Sequence, residues 1–168
     1  METTLVAELA WALTRAGHAT LRFNYRGVGA SQGEIGDEEA DRLDVLSVLS
    51  HLSETEGGRI ALCGVGHGAL ACLRVAAEQP RIDSVAIFCP LPSMDEGARA
   101  LTALLHREAG APRLLVVTGG PPTPGWMGAG SVASEEGFEV FVVDDAEDGF
   151  AKGWPQAARR VAQFYREG

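Results

Sequence analysis

Positive charge, long apolar runs and paired cysteines are all scarce in this 168-residue chain, and each shortage removes a class of function. Its 14 Lys and Arg are outnumbered by 23 Asp and Glu, a formal net charge of −9. A surface of that sign repels phosphate backbones and anionic lipid, so neither nucleic acid nor a membrane is expected as a partner. The local basic cluster, Arg159-Arg160, reads as a solvated helix face. No apolar run approaches the roughly 20 residues needed to span a bilayer. The start, Met1-Glu2-Thr3-Thr4, lacks the basic and apolar segments of a signal peptide. The cysteines, Cys63, Cys72 and Cys89, form no C-x-x-C pair and sit in apolar stretches, where cysteine serves as a small core residue. That usage fits a reducing compartment, so a cytoplasmic location is expected. His18, His51, His67 and His106 have no ligand-like spacing, and no metal or other cofactor is expected.

What remains is the composition of a globular protein, 46% hydrophobic and 22% charged, enough for one domain over residues 1–168 with a core of its own. Residues 4–16 place Leu5, Leu9 and Leu13 at helical spacing, and Gly17 stops that helix. In 18–24, Ala19, Leu21 and Phe23 alternate with polar residues as in a strand, and the glycine-rich stretch 25–36 is a loop. Asp37 caps a helix whose buried face carries Val45, Leu49 and Leu52. Further strands are predicted at 58–64, 84–89, 113–118 and 138–143, with helices following Gly68, over 96–107 and over 155–166. Runs of Val, Ile and Leu separated by helices predict an α/β fold: a three-layer αβα sandwich around a mostly parallel five-stranded sheet.

Two strings carry a family likeness. One is Phe23-Asn24-Tyr25-Arg26-Gly27-Val28-Gly29-Ala30-Ser31-Gln32-Gly33; the other is Leu62-Cys63-Gly64-Val65-Gly66-His67-Gly68-Ala69. Together they resemble the small α/β-hydrolases related to dienelactone hydrolases and acyl-peptidase-like esterases. The first matches that family's F-N-[FY]-R-G-x-G-x-S-x-G segment. The second falls where the family carries its G-x-S-x-G nucleophile elbow, a sharp strand-to-helix turn that lifts a serine above the sheet. The likeness begins inside the first helix, whereas such hydrolases carry a strand and an H-P-H-P or H-G-G loop before it, so the chain reads as a truncated version of the fold.

The resemblance implies a catalytic triad, and the residues do not supply one. The elbow's centre is Gly66, which has no atom to attack with. The acid position falls in Thr118-Gly119-Gly120-Pro121-Pro122-Thr123, without a carboxylate, and Asp148 stands where the family histidine would be. An aspartate with an ordinary pKa near 4 is a poor base for a hydroxyl. A pseudo-hydrolase acting as a binding or assembly module is therefore expected.

Ligand-binding candidates are His67, Trp126 and Asp148, expected to converge at the carboxyl edge of the sheet, with Tyr25 and Arg26 at the strand-to-loop corner. Arg26 is also expected to pair with Asp41 or Asp44, Ser31 to hold its loop, and Cys63 to pack in the core. Two other readings stay open. One is an enzyme with a site rebuilt on His67 and Asp148. The other is a dinucleotide binder, because Gly64-Val65-Gly66-His67-Gly68-Ala69 fits G-x-G-x-x-[GA], although no carboxylate follows the next strand. The acidic run 144–148 reads as a solvated rim. Finally, with no strand ahead of the first helix, 20–24 is expected to pair directly with 60–64 and form the sheet's edge. That edge and the first helix, with Trp11, would be covered by a homodimer or a partner protein.

Overall fold

The computed structural model describes residues 4–55, 58–88, 94–108, 110–119, 138–143 and 153–167. The elements run α1 Thr4–Arg15, α2 Glu38–Thr55, β1 Ile60–Val65, α3 His67–Glu78, β2 Ile82–Phe88, α4 Met94–Leu105, β3 Arg113–Gly119, β4 Glu139–Val143 and α5 Trp154–Arg166. Helix starts follow local rules. Asp37 Oδ1 accepts the Ala40 amide at 3.0 Å and caps α2. Gly17, at φ 94°, ends α1 while the His18 amide returns to the Leu13 carbonyl at 3.1 Å.

The strands form one parallel sheet in the order β1-β2-β3-β4. Its centre is buried on both faces, which is why Val85-Ala86-Ile87-Phe88 and Leu114-Leu115-Val116-Val117 are unbroken apolar runs. Alternation sends Val85, Ile87, Leu114 and Val116 into a core with α2, α3 and α4. Ala86, Phe88, Leu115 and Val117 enter a second core with α1 and α5. Two helical layers enclosing one sheet make the expected αβα sandwich. No helix among the described residues is long and apolar enough to cross a membrane.

The sheet has four strands among the described residues rather than five. Residues 18–24 are not a strand and do not pair with β1, so among the described residues β1 itself is the edge. Alternating side chains are not sufficient for a strand; a neighbouring ladder at hydrogen-bonding distance is also required. This segment is held at both ends by opposite layers of the sandwich. α1 is packed on α5 by Leu5, Leu9 and Leu13, whereas Tyr25 is packed into the other core. The chain between them passes from one face to the other without joining the β1 ladder, leaving Leu21 47% and Phe23 38% exposed.

Candidate functional site

The turn between β1 and α3 is dictated by glycine. A Cβ on Gly64 would lie 2.3 Å from the Gly68 carbonyl oxygen and 2.6 Å from the Ala69 nitrogen, so the strand's end touches the helix's first turn. Gly66 has φ 57° and ψ −119°, a conformation that side-chain-bearing residues rarely adopt. Its carbonyl accepts the Ala69 amide at 3.0 Å and the Leu70 amide at 3.3 Å. The space a Cβ would occupy at Gly66 is open. The sharp turn that the sequence predicts is therefore built, with no side chain at its apex. His67 follows as the first residue of α3 and is exposed.

The segment from Phe23 to Gly33 is a brace for this turn. The Tyr25 phenol oxygen lies 3.6 Å from where a Gly68 Cβ would sit, and Phe23 meets the Tyr25 ring edge-on at 5.2 Å between centroids. Burial, reinforced by nearby acidic groups, raises the Tyr25 phenol above its ordinary range. Arg26 chooses Asp44 rather than Asp41. Its Nε donates to Oδ1 at 2.9 Å, its Nη2 to the same oxygen at 2.6 Å, and its backbone amide to Oδ2 at 2.8 Å. These bonds hold the Asp44 carboxylate below its usual range. Ser31 Oγ donates to the Asn24 carbonyl at 3.0 Å, the loop-holding role expected of it. Gly27, at φ 69°, lies against the backbone of Glu34 and Ile35, where a Cβ would come within 2.4 Å.

Beside His67 opens a cleft of about 450 Å³, lined by the first turn of α2 (Glu38, Glu39, Asp41) together with Asp37, His67 and Arg74. Arg74 pairs with Glu38 and stands 3.8 Å from Glu96 of α4. The Glu38 and Glu96 carboxyls meet at the Arg74 guanidinium. Hydrogen bonding between them lowers Glu38 and raises Glu96, which burial raises further. Desolvation also raises Asp41, against the opposing pull of His67.

The groups that share the cleft with His67 were not among the sequence candidates, because α2 and α3 each contribute part of it. The sequence signal was the acidic first turn of α2. Trp126 and Asp148, expected beside His67, lie outside the described residues, as do Cys89, Pro121 and Pro122. Cys72 is buried and Cys63 half-buried; burial pushes the Cys63 thiol up to about 12. Among the described residues no cluster of His, Cys, Asp and Glu is arranged to hold a metal ion.

Solved structures share this fold. A protein of unknown function from Agrobacterium tumefaciens, described as an α/β hydrolase, superposes with a TM-score of 0.78 at 18% identity, covering 99% of this chain and 77% of its own. Est1E from Butyrivibrio proteoclasticus gives 0.74 at 16% identity, covering 99% of this chain and 82% of its own. Dienelactone hydrolase from Anabaena variabilis gives 0.68 at 18% identity, covering 99% and 80%. No curated protein sequence matches the chain. The family model for serine aminopeptidase, S33, matches residues 2–125, the span that holds α1, the Tyr25–Arg26 brace and the β1–α3 turn. The chain belongs to this α/β-hydrolase family.

Proposed function

We propose that this protein is a non-catalytic member of its family that works as a binding or assembly module. The observation that carries the reading is Gly66. The turn that would raise a nucleophile is formed, but its apex is a glycine in a glycine-favouring conformation. The sequence supports the same reading at the acid position, where Pro121 and Pro122 stand, and at the base position, where Asp148 stands. Losing all the triad members together leaves no single substitution that restores acyl transfer. The purified chain is expected not to cleave short acyl esters and not to be labelled by a fluorophosphonate. The Gly66→Ser variant is expected to remain inactive, because neither base nor acid returns with the serine. Stoichiometric labelling of the wild type would overturn the proposal.

The cleft at His67 favours a second reading, in which a small ligand is bound there by Asp41, His67 and Arg74. This reading partners His67 with carboxylates of the α2 entry, where the sequence offered Asp148. A thermal-shift screen with nucleotides, dinucleotides, amines and divalent ions tests it, since a ligand at 100 times its Kd raises stability by about 2.7 kcal/mol. A protein partner, or a second copy, over α1 and the β1 side of the sheet completes the module reading. Trp11, 58% exposed, and Leu21 lie on that side.

A further inference from the structure

A groove of about 520 Å³ runs between α1 and α5, on the sandwich face opposite the His67 cleft. Ala12, Ala162 and Trp11 make its apolar floor, and Arg15, Arg159 and Arg166 stand around it. Elsewhere, Arg26, Arg42, Arg59, Arg74 and Arg160 are each paired with a carboxylate. The three groove arginines make no such pair among the described residues; Arg15 lies over the Trp11 ring at 4.9 Å. Glu167, at the end of α5, accepts a hydrogen bond from Gln163 at 2.7 Å and stands 3.9 Å from Arg160. Three unpaired guanidiniums over an apolar floor, in a chain of net charge −9, form a local positive site that calls for an acidic occupant with an apolar anchor.

The chain carries such a feature on its other face. Ile35 is 77% exposed and is flanked by Glu34 and Asp37 at the entry to α2, whose first turn adds Asp41, Glu38 and Glu39 being paired with Arg74 and Arg42. The corner is locked rather than loose. Gly27 lies against the Ile35 backbone, the Gly27 amide donates to the Gln32 carbonyl at 3.2 Å, and Asp37 caps α2. A preformed apolar tip loses little freedom on docking. We propose that the α1–α5 groove of one copy receives the acidic corner at residues 34–37 of a second copy, with Ile35 against the floor and the carboxylates on the arginines. The proposal rests on the assembly reading above and names its partner. Because groove and corner lie on opposite faces, the contact is head to tail. A two-fold contact centred on the groove is disfavoured, since it would gather six guanidiniums. Repulsion between two acidic copies is screened beyond about 8 Å at physiological salt, so the local charges decide the contact.

Sedimentation velocity on the full chain, from low to high micromolar at physiological salt, tests this. Wild type is expected to form species beyond the dimer as concentration rises. The groove variant Arg159→Glu/Arg166→Glu and the corner variant Glu34→Lys/Ile35→Asp are each expected to weaken association by about tenfold or more. Mixed in equal amounts, the two variants have one intact groove and one intact corner between them, so they should form a 1:1 dimer and stop. All substituted side chains are exposed, and thermal melts confirm folding; Arg15→Glu serves as a second groove variant. A wild type that stays monomeric overturns the proposal, and so does assembly that either variant leaves intact. Fluorophosphonate labelling is read independently of sedimentation, so failure of the non-catalytic reading is distinguishable from failure of this one.

Discussion

Gly64 and Gly66 stand two residues apart in one turn, yet they must resist substitution for different reasons. At Gly64 the obstacle is contact. An alanine Cβ there would lie 2.3 Å from the Gly68 oxygen, 2.5 Å from its carbonyl carbon and 2.6 Å from the Ala69 nitrogen, all backbone atoms that cannot rotate away. Relief requires β1 and α3 to separate, and overpacking of this kind costs about 1–3 kcal/mol or more. At Gly66 the obstacle is conformation. Nothing lies within 4 Å of the new Cβ, but φ 57° and ψ −119° must be held by a residue that disfavours them. Such strain costs about 1–3 kcal/mol, partly offset by the 0.4–1 kcal/mol gained by restricting the unfolded chain. We therefore expect Gly66→Ala to lose roughly 1–2 kcal/mol, and Gly64→Ala to lose about 3 kcal/mol or more. For a domain of this size each kcal/mol lowers Tm by about 2–4 °C. The separation should be visible in thermal melts and in urea midpoints at constant m-value. A Gly64→Ala protein as stable as Gly66→Ala would refute the close approach of strand and helix.

Four further outcomes follow from particular contacts. The Arg107 guanidinium gathers the carbonyls of Ala76, Gln79 and Ile82, each within 3.0 Å, so Arg107→Ala should cost about 1.5–3 kcal/mol in urea unfolding, with Arg107→Lys recovering only part. Phe164 is 2% exposed in the α1–α5 core, and Phe164→Ala should cost about 3–5 kcal/mol by the same assay. Arg26 depresses the Asp44 pKa, so the pair's stability is present above the ordinary carboxylate value near 4 and is lost as pH falls through the folded value. The stability difference between wild type and Asp44→Asn should accordingly be flat near neutrality and shrink below about pH 4. Burial raises both described thiols, so in a Cys89→Ser background alkylation at about pH 8 should be slow until denaturant is added.

Features governed by neighbours in sequence were legible without coordinates. The apolar runs of β2 and β3 announce strands buried on both faces, and the Leu5, Leu9, Leu13 spacing announces a helix with one buried side. Asp37 as a cap, Gly17 as a stop and the sharp turn at 64–68 are constraints on a few adjacent dihedrals, so the residue types alone reveal them. Tertiary structure decided what depends on a distant neighbour. Residues 18–24 have a strand's alternation but no ladder to join, because their ends are fixed to opposite layers of the sandwich. Arg26 had two carboxylates within reach on paper, and helix phase gave it Asp44. The carboxylates beside His67 come from the first turn of α2 while His67 itself opens α3, and Arg15 meets Arg159 and Arg166 only because α1 packs on α5. Backbone conformation is set by local sterics, whereas pairing and charge clustering depend on which surfaces the buried core brings together.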